Sequence, residues 1–245
     1  MLQQTQASRV IPKWHAFLER FPSPAACAEA PLGDVLQLWQ GLGYPRRAKN
    51  LHDAAARIAD LGEFPSTLAD LLQLPGVGQY TARAVLAFAF EQEAAVVDTN
   101  IARVLARVAG VRLTARQAQE AADAALPPGD SWAWNQCLMD LGAVLCRPAA
   151  AHCEMCPLHT TCAWHGSGDD PAVGSAGVST RQARFDGSDR QARGRLMRSL
   201  TAGPVTTEQL PVVMRCEAAR AGRLTNDLER EGLVVRVELA VCLPT

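Results

Sequence analysis

The arrangement Cys146-x6-Cys153-x2-Cys156-x5-Cys162 gathers four of the chain's eight cysteines into seventeen residues. Thiolates this close in sequence can surround a tetrahedral metal ion or an iron–sulfur cluster, because soft sulfur ligands suit zinc and iron and short loops let the chain close on one centre. Structural zinc usually takes two CxxC-like knuckles. Only Cys153 and Cys156 have that spacing, which favours a [4Fe–4S] cluster. The plain alternative, unrelated buried or disulfide-bonded cysteines, fits poorly with His152, Pro157 and the polar residues among them. Cys27, Cys137, Cys216 and Cys242 are scattered among apolar residues and are expected to be ordinary core residues.

The 245 residues allow one large domain or a medium one with a small companion, and a hydrophobic content of 48% is ample for a packed core. No apolar run is long enough to span a membrane. The N-terminal MLQQTQASRV has no signal-peptide core, so a cytoplasmic protein with reduced thiols is expected. The net charge of −1 excludes a global positive field. Any grip on nucleic acid must come from local basic clusters and backbone amides.

Apolar positions Leu2, Val10, Ile11, Trp14, Phe17, Leu18 and Phe21 predict one or two helices, reset at Pro12. A second amphipathic helix carries Leu32, Val35, Leu36, Leu38, Trp39 and Leu42 and ends in Gly41-Leu42-Gly43-Tyr44-Pro45. Arg46, Arg47 and Lys49 open the next helix, to about Leu61, as a solvated face or a phosphate contact. Leu74-Pro75-Gly76-Val77-Gly78-Gln79-Tyr80-Thr81-Ala82 lies between helices at about 66–73 and 79–90. Its glycines permit a tight turn and close approach, and the following helix N-terminus offers N–H groups to an anion, as a neutral protein needs to hold a phosphate. A plain αα-hairpin is the alternative. Asp98 or Thr99 caps a helix whose buried stripe is Ile101, Val104, Leu105 and Val108, and for Asp98 capping and catalysis are both open. Helices at about 114–125 and 132–145 follow. The first domain, residues 1–165, contains the cysteine loop 146–162; residues 166–188 read as a linker. Residues 189–245 carry helices near 189–200, 206–213 and 216–231 and then alternating Val-Val-Arg-Val-Glu-Leu-Ala-Val, which suggests a small winged-helix-like module.

MLQQTQ, GLGY, LPGVG-x-YTA, VVDTN-x-x-RVLAR, NQ-x-x-MDLGA and the four spaced cysteines, in this order, resemble the iron–sulfur helix–hairpin–helix DNA glycosylases and, within them, the MutY-type adenine branch. The resemblance covers residues 1 to about 165. It implies an all-α fold of two subdomains with an iron–sulfur cluster loop, the winged-helix-like module being appended, and an active site between the subdomains that receives a flipped-out adenine. Asp98 matches the aspartate that stabilises the sugar cation, Gln4 the wedge in the base stack, Tyr44 the residue inserted beside 8-oxoguanine, and Gln136 a contact to the adenine edge. Gly76, Val77 and Gly78 match the phosphate-binding hairpin, and Cys146, Cys153, Cys156 and Cys162 the [4Fe–4S] ligands. At Tyr80 the endonuclease III-like enzymes have a lysine that forms a Schiff base; a phenol has no amine, which implies a monofunctional glycosylase.

These matches imply base excision repair of adenine mispaired with 8-oxoguanine or guanine, by a monomer acting on double-stranded DNA at the nucleoid. The family's general-acid glutamate would fall two residues before Met1, so the natural protein is expected to extend upstream. Residues 189–245 are too few for the Nudix-like domain usual in the family. The alternatives are a thymine–guanine mismatch glycosylase, which also resembles this chain at Tyr80, and a non-catalytic iron–sulfur DNA-binding protein. A zinc-binding transcription factor built on the C-terminal module would leave the hairpin, Asp98 and MLQQTQ without a role.

Overall fold

The computed structural model describes residues 1–2, 5–178 and 184–245. These fall into two compact units: one of residues from Met1–Pro65, Leu74–Gly76 and Gln182–Thr245, the other from Ser66–Gln73 and Val77–Arg181. In the first unit α1 (Ala7–Arg20), α2 (Pro24–Ala28), α3 (Leu32–Trp39) and α4 (Arg46–Leu61) open the chain. Pro12 does not reset the helix: α1 runs through it unbroken. Pro12 and Ser8 are both exposed, so the carbonyl that proline leaves without a partner faces water. Val10, Phe17 and Phe21 are buried, but Ile11, Trp14 and Leu18, expected in the same stripe, are 54%, 48% and 44% exposed. The helix turns only one narrow row of side chains to its core.

The second unit is built from α5 (Leu68–Leu71), α6 (Gln79–Phe88), α7 (Thr99–Ala109), α8 (Ala115–Ala125) and α9 (Ser131–Val144). Thr67 caps α5, Asp98 caps α7, and Thr114 with Gln117 forms a reciprocal capping box on α8. The core gathers Ile101, Val104, Leu105, Ala118, Ala122 and Leu138. Helix α7 is buried from Ile101 to Arg107 on every side, including two arginines. Gly142 is where α9 meets α7: a Cβ there would lie 2.6 Å from Asn100 Cβ. Residues 166–178 pack onto this unit, with Ala172 and Ser175 buried and the Ser175 hydroxyl accepting from the Leu113 N–H.

The C-terminal segment adds α10 (Asp189–Leu200), β1 (Val205–Thr206), α11 (Leu210–Met214), α12 (Ala218–Arg230), β2 (Val235–Val237) and β3 (Ala240–Cys242) to the first unit. The three strands form an antiparallel sheet in the order β1-β3-β2. With the helix order this is a winged-helix topology, whose wing is the β2–β3 hairpin. Strand β1, two residues long, has too short an alternation to be read from sequence. The module shares one core with the N-terminal helices: Val10, Phe17, Val35 and Trp39 cluster with Leu196, Met214, Leu224 and Val241. The Gly33 N–H also donates to the Pro244 carbonyl.

None of the eight cysteines is joined in a disulfide. Cys27 is in the core, whereas Cys137, expected there, is exposed on the outer face of α9. Among the described residues no helix is long and apolar enough to cross a membrane.

Candidate active site and cysteine pocket

Asp98 is held as a rigid cap. Its Oδ1 accepts from the Asn100 and Ile101 N–H groups at 2.9 and 2.7 Å, and its Oδ2 accepts from Asn100 Nδ2 at 3.0 Å. The strand-like segment leading to it is clamped from α9. Ser131 exchanges hydrogen bonds with both backbone groups of Ala94, while Asn135 accepts from the Val96 N–H and donates to the Ala94 carbonyl. Both side chains are buried, and their fixed partners set the height at which the carboxylate leaves the backbone. Tyr80, in the first turn of α6, feels this carboxylate. Burial, and after it the negative charge of Asp98, pushes the Tyr80 phenol above its ordinary pKa.

From Asp98 a chain of hydrogen bonds runs to the cysteine loop. Asn100 Oδ1 accepts from Arg103 Nη2 at 2.9 Å, and Arg103 donates through Nε to the Cys146 carbonyl at 2.7 Å and through Nη2 to the Gly142 carbonyl at 2.6 Å. One turn on, Arg107 donates to the Arg147 and Pro148 carbonyls and to Cys146 Sγ at 3.2 Å. It also pairs with Asp170 through Nε at 3.0 Å and Nη2 at 2.6 Å, and its guanidinium lies 4.4 Å from the Trp164 ring centre. The two arginines thus satisfy carbonyls left without helical partners where α9 ends and the cysteine loop begins. Neither was singled out in the sequence. The available signal is two arginines four residues apart in a stretch, Ile101–Ala109, whose other side chains are apolar.

The four spaced cysteines line one pocket, with Arg107, His159 and Trp164 among its walls. The His165 N–H points at Cys162 Sγ, 3.4 Å away. Gly166, at φ +91°, backs Cys153, where a Cβ would stand 3.2 Å from the sulfur. Among the described residues no three His, Cys, Asp or Glu side chains converge to hold a single metal ion.

In the hairpin, Gly76 has φ +74°, and a Cβ there would overlap the Asn50 side chain; the turn needs glycine twice over. Gly78 differs. Its φ is −100°, it heads α6, and a Cβ would meet nothing within 4 Å. Val77 lies between them. Gln136, on α9, donates to Asp140 at 3.1 Å. Tyr44, in the first unit, adopts φ +48° and is 39% exposed. The basic cluster beside it is not a simple solvated face. Arg47 turns inward, donating to the Leu42 and Gly43 carbonyls and lying over the Trp39 and Tyr44 rings, while Lys49 pairs with Asp53. Gln4 lies outside the described residues.

Residues 1–128 match the family of HhH-GPD superfamily base excision DNA repair proteins. The adenine DNA glycosylase of Mycolicibacterium smegmatis is 42% identical over 242 residues, covering 96% of this chain and 81% of that protein. The chain belongs to the adenine DNA glycosylase family. Its fold agrees with solved relatives. A thermostable thymine-DNA glycosylase gives a TM-score of 0.64 at 29% identity, over 67% of this chain and 79% of that one. Endonuclease III in a non-covalent DNA complex gives 0.60 at 26%, over 66% and 78%. The structure is therefore a helix–hairpin–helix glycosylase fold with a winged-helix module, and the chain is a base excision repair glycosylase.

Proposed function

We propose that this chain is a monofunctional glycosylase that hydrolyses the N-glycosidic bond of adenine paired with 8-oxoguanine or guanine in duplex DNA. The observation that carries the reading is the Asp98 carboxylate, immobilised by three donors and accompanied by a tyrosine. As the base leaves a flipped-out nucleotide, positive charge develops on the sugar, and a carboxylate already fixed in place stabilises it without reorganising. Tyr80 offers no amine, so water takes the sugar carbon and the strand is left with an intact abasic site. Gly76, Val77 and Gly78 bind a phosphate through backbone N–H groups. Gly78 fits this role because neither its φ nor its packing requires glycine, which leaves close approach of a ligand as the reason for it. In the same reading Gln136 meets the adenine edge, Tyr44 lies beside the opposite base and Gln4 wedges the stack. The protein then works as a nucleoid-associated monomer.

Cys146, Cys153, Cys156 and Cys162 would hold a [4Fe–4S] cluster. The four cysteines line one pocket, and their spacing, with a single CxxC pair, suits a cluster better than the two knuckles usual for structural zinc. When bound, the cluster would supply a fixed tie between the loop and the end of α9. Arg107 and the His165 N–H, which donate to the Cys146 and Cys162 sulfurs, would orient these thiolates toward it.

The test is product analysis on duplexes carrying A·8-oxoguanine, A·G or T·G, using the 245-residue chain. Free adenine, with strand breaks only after alkali, supports the reading. Thymine release would establish the second reading, which the likeness to a thymine-DNA glycosylase favours. Breaks without alkali would refute the monofunctional assignment.

A further inference from the structure

Past Cys162 the chain stays on the second unit and runs back along α7. The N–H groups of Ala163 and Trp164 donate to the Val108 and Arg107 carbonyls, which the end of α7 leaves without helical partners. Further on, the Ala176 N–H donates to the Leu113 carbonyl, and the Ser175 hydroxyl accepts from the Leu113 N–H. Between these two ties stands Asp170. Its carboxylate takes Arg107 with both oxygens, at 3.0 and 2.6 Å, and also accepts from the Ala172 N–H at 2.9 Å. Residues 163–178 are thus a strap tied down near both ends and at one point between.

Arg107 is what the strap holds. It is 2% exposed, with Asp170 along one edge of its guanidinium, the centre of the Trp164 ring 4.4 Å away and Cys146 Sγ 3.2 Å from Nη1. Two-point pairing with a carboxylate fixes the plane of a guanidinium as well as its place, so the N–H aimed at the sulfur is aimed by Asp170. The strap also backs the pocket directly, through Gly166 behind Cys153 and the His165 N–H at Cys162 Sγ. Cys146, Cys153 and Cys162 are therefore each supported by the strap or by the arginine that it holds.

We propose that residues 163–178 are a retaining strap for the cysteine pocket, in which Asp170 and Trp164 are positioning residues that act through Arg107 on Cys146. The proposal rests on the [4Fe–4S] reading above and adds to the four cysteines a retaining device that their spacing does not contain. Groups that orient a metal's ligands from outside change its retention by roughly 10–100-fold when they are removed.

The experiment follows iron release from the full chain, purified anaerobically, to an excess of a ferrous chelator, read from the colour of the chelate and from the decay of the protein's broad visible absorbance. The proteins are wild type, Asp170→Asn, Trp164→Leu, Trp164→Phe and, as a control, Asp123→Asn, which breaks the Arg83–Asp123 ion pair elsewhere on the same unit. Each is held well below its Tm, with circular dichroism to confirm folding. Asp170→Asn and Trp164→Leu are each expected to release iron about tenfold faster than wild type. Trp164→Phe, which keeps an aromatic face for the guanidinium, and Asp123→Asn should stay within about twofold of wild type. If Asp170→Asn does not fold, the contrast between Trp164→Leu and Trp164→Phe decides alone. Release within about twofold of wild type in both Asp170→Asn and Trp164→Leu would overturn the strap. So would an equal acceleration in Asp123→Asn, which marks a general loosening of the unit. A wild-type chain that carries neither iron nor the absorbance would refute the cluster reading and the strap together; a wild-type chain that carries both, with variants that hold them as long, refutes the strap alone.

Discussion

Replacing Arg103 by methionine keeps the volume and removes the donors. Arg103 is 2% exposed, and the Cys146 and Gly142 carbonyls it serves lie at the end of α9, where no N–H of the helix can reach them. Leaving a buried acceptor unpaired costs about 1–3 kcal/mol, and a charged donor with several partners is at the upper end. The Gly142 carbonyl is orphaned, the Cys146 carbonyl keeps only its 3.3 Å bond from Arg107 Nη1, and the Asn100 contact is lost, which gives about 2–4 kcal/mol in total. For a protein of this size that lowers Tm by about 10 °C. The damage should also travel. Without Arg103, Asn100 can turn its amide away from Asp98 Oδ2, so adenine release should fall while duplex affinity changes little. Scanning calorimetry and single-turnover kinetics on the same preparations check both points, with Arg103→Lys intermediate because one amine cannot span both carbonyls. A Tm within 2 °C of wild type would refute the reasoning, because it would mean that the carbonyls find other partners at no cost.

The two hairpin glycines should behave oppositely. Gly76→Ala meets Asn50 and a left-handed φ that costs about 1–2 kcal/mol for a residue with a Cβ, so Tm should drop by about 5 °C or more. Gly78→Ala should melt like wild type and bind duplex DNA more weakly, as anisotropy would show. Hydrogen bonds from Arg220 and then Arg223 hold the Asp189 carboxyl below the usual carboxylate range. The bridge between α10 and α12 therefore contributes above the unfolded value of ~3.9 and is lost as pH falls through the lower folded value. Asp189→Asn should lower the urea midpoint at pH 7, with the gap closing toward pH 3 and shrinking in high salt, as expected for an exposed pair.

The long helices were legible because their apolar spacing repeats over about three turns or more: α4, α6, α10 and α12 begin and end within a few residues of where the pattern puts them. Short elements were not. Helix α2 has five residues and β1 two, too few for any period to show. The row Ile11, Trp14 and Leu18 has helical spacing but faces solvent, because periodicity shows that a face is apolar and not that something covers it. The site divides in the same way. Asp98, the glycines and the cysteines stand out by residue type and spacing. Arg103, Arg107 and Asp170 do their work across gaps of 39 to 63 residues, to the Gly142 carbonyl and between Arg107 and Asp170, which no local pattern encodes. Asn135, next to Gln136 in the sequence, turns inward to hold the Asp98 segment while its neighbour faces Asp140.

The central claim is that a fixed Asp98 charge drives loss of the base. A carboxylate ~4 Å from the sugar cation, at an effective dielectric of ~20, is worth about 4 kcal/mol, or roughly 10³ in rate. Asn caps a helix as well as Asp, so Asp98→Asn removes the charge and leaves the cap on α7. Single-turnover adenine release from an A·8-oxoguanine duplex, measured for wild type and Asp98→Asn, tests this directly. The account predicts a rate about a thousandfold lower with the duplex Kd nearly unchanged. A rate within tenfold of wild type would contradict it.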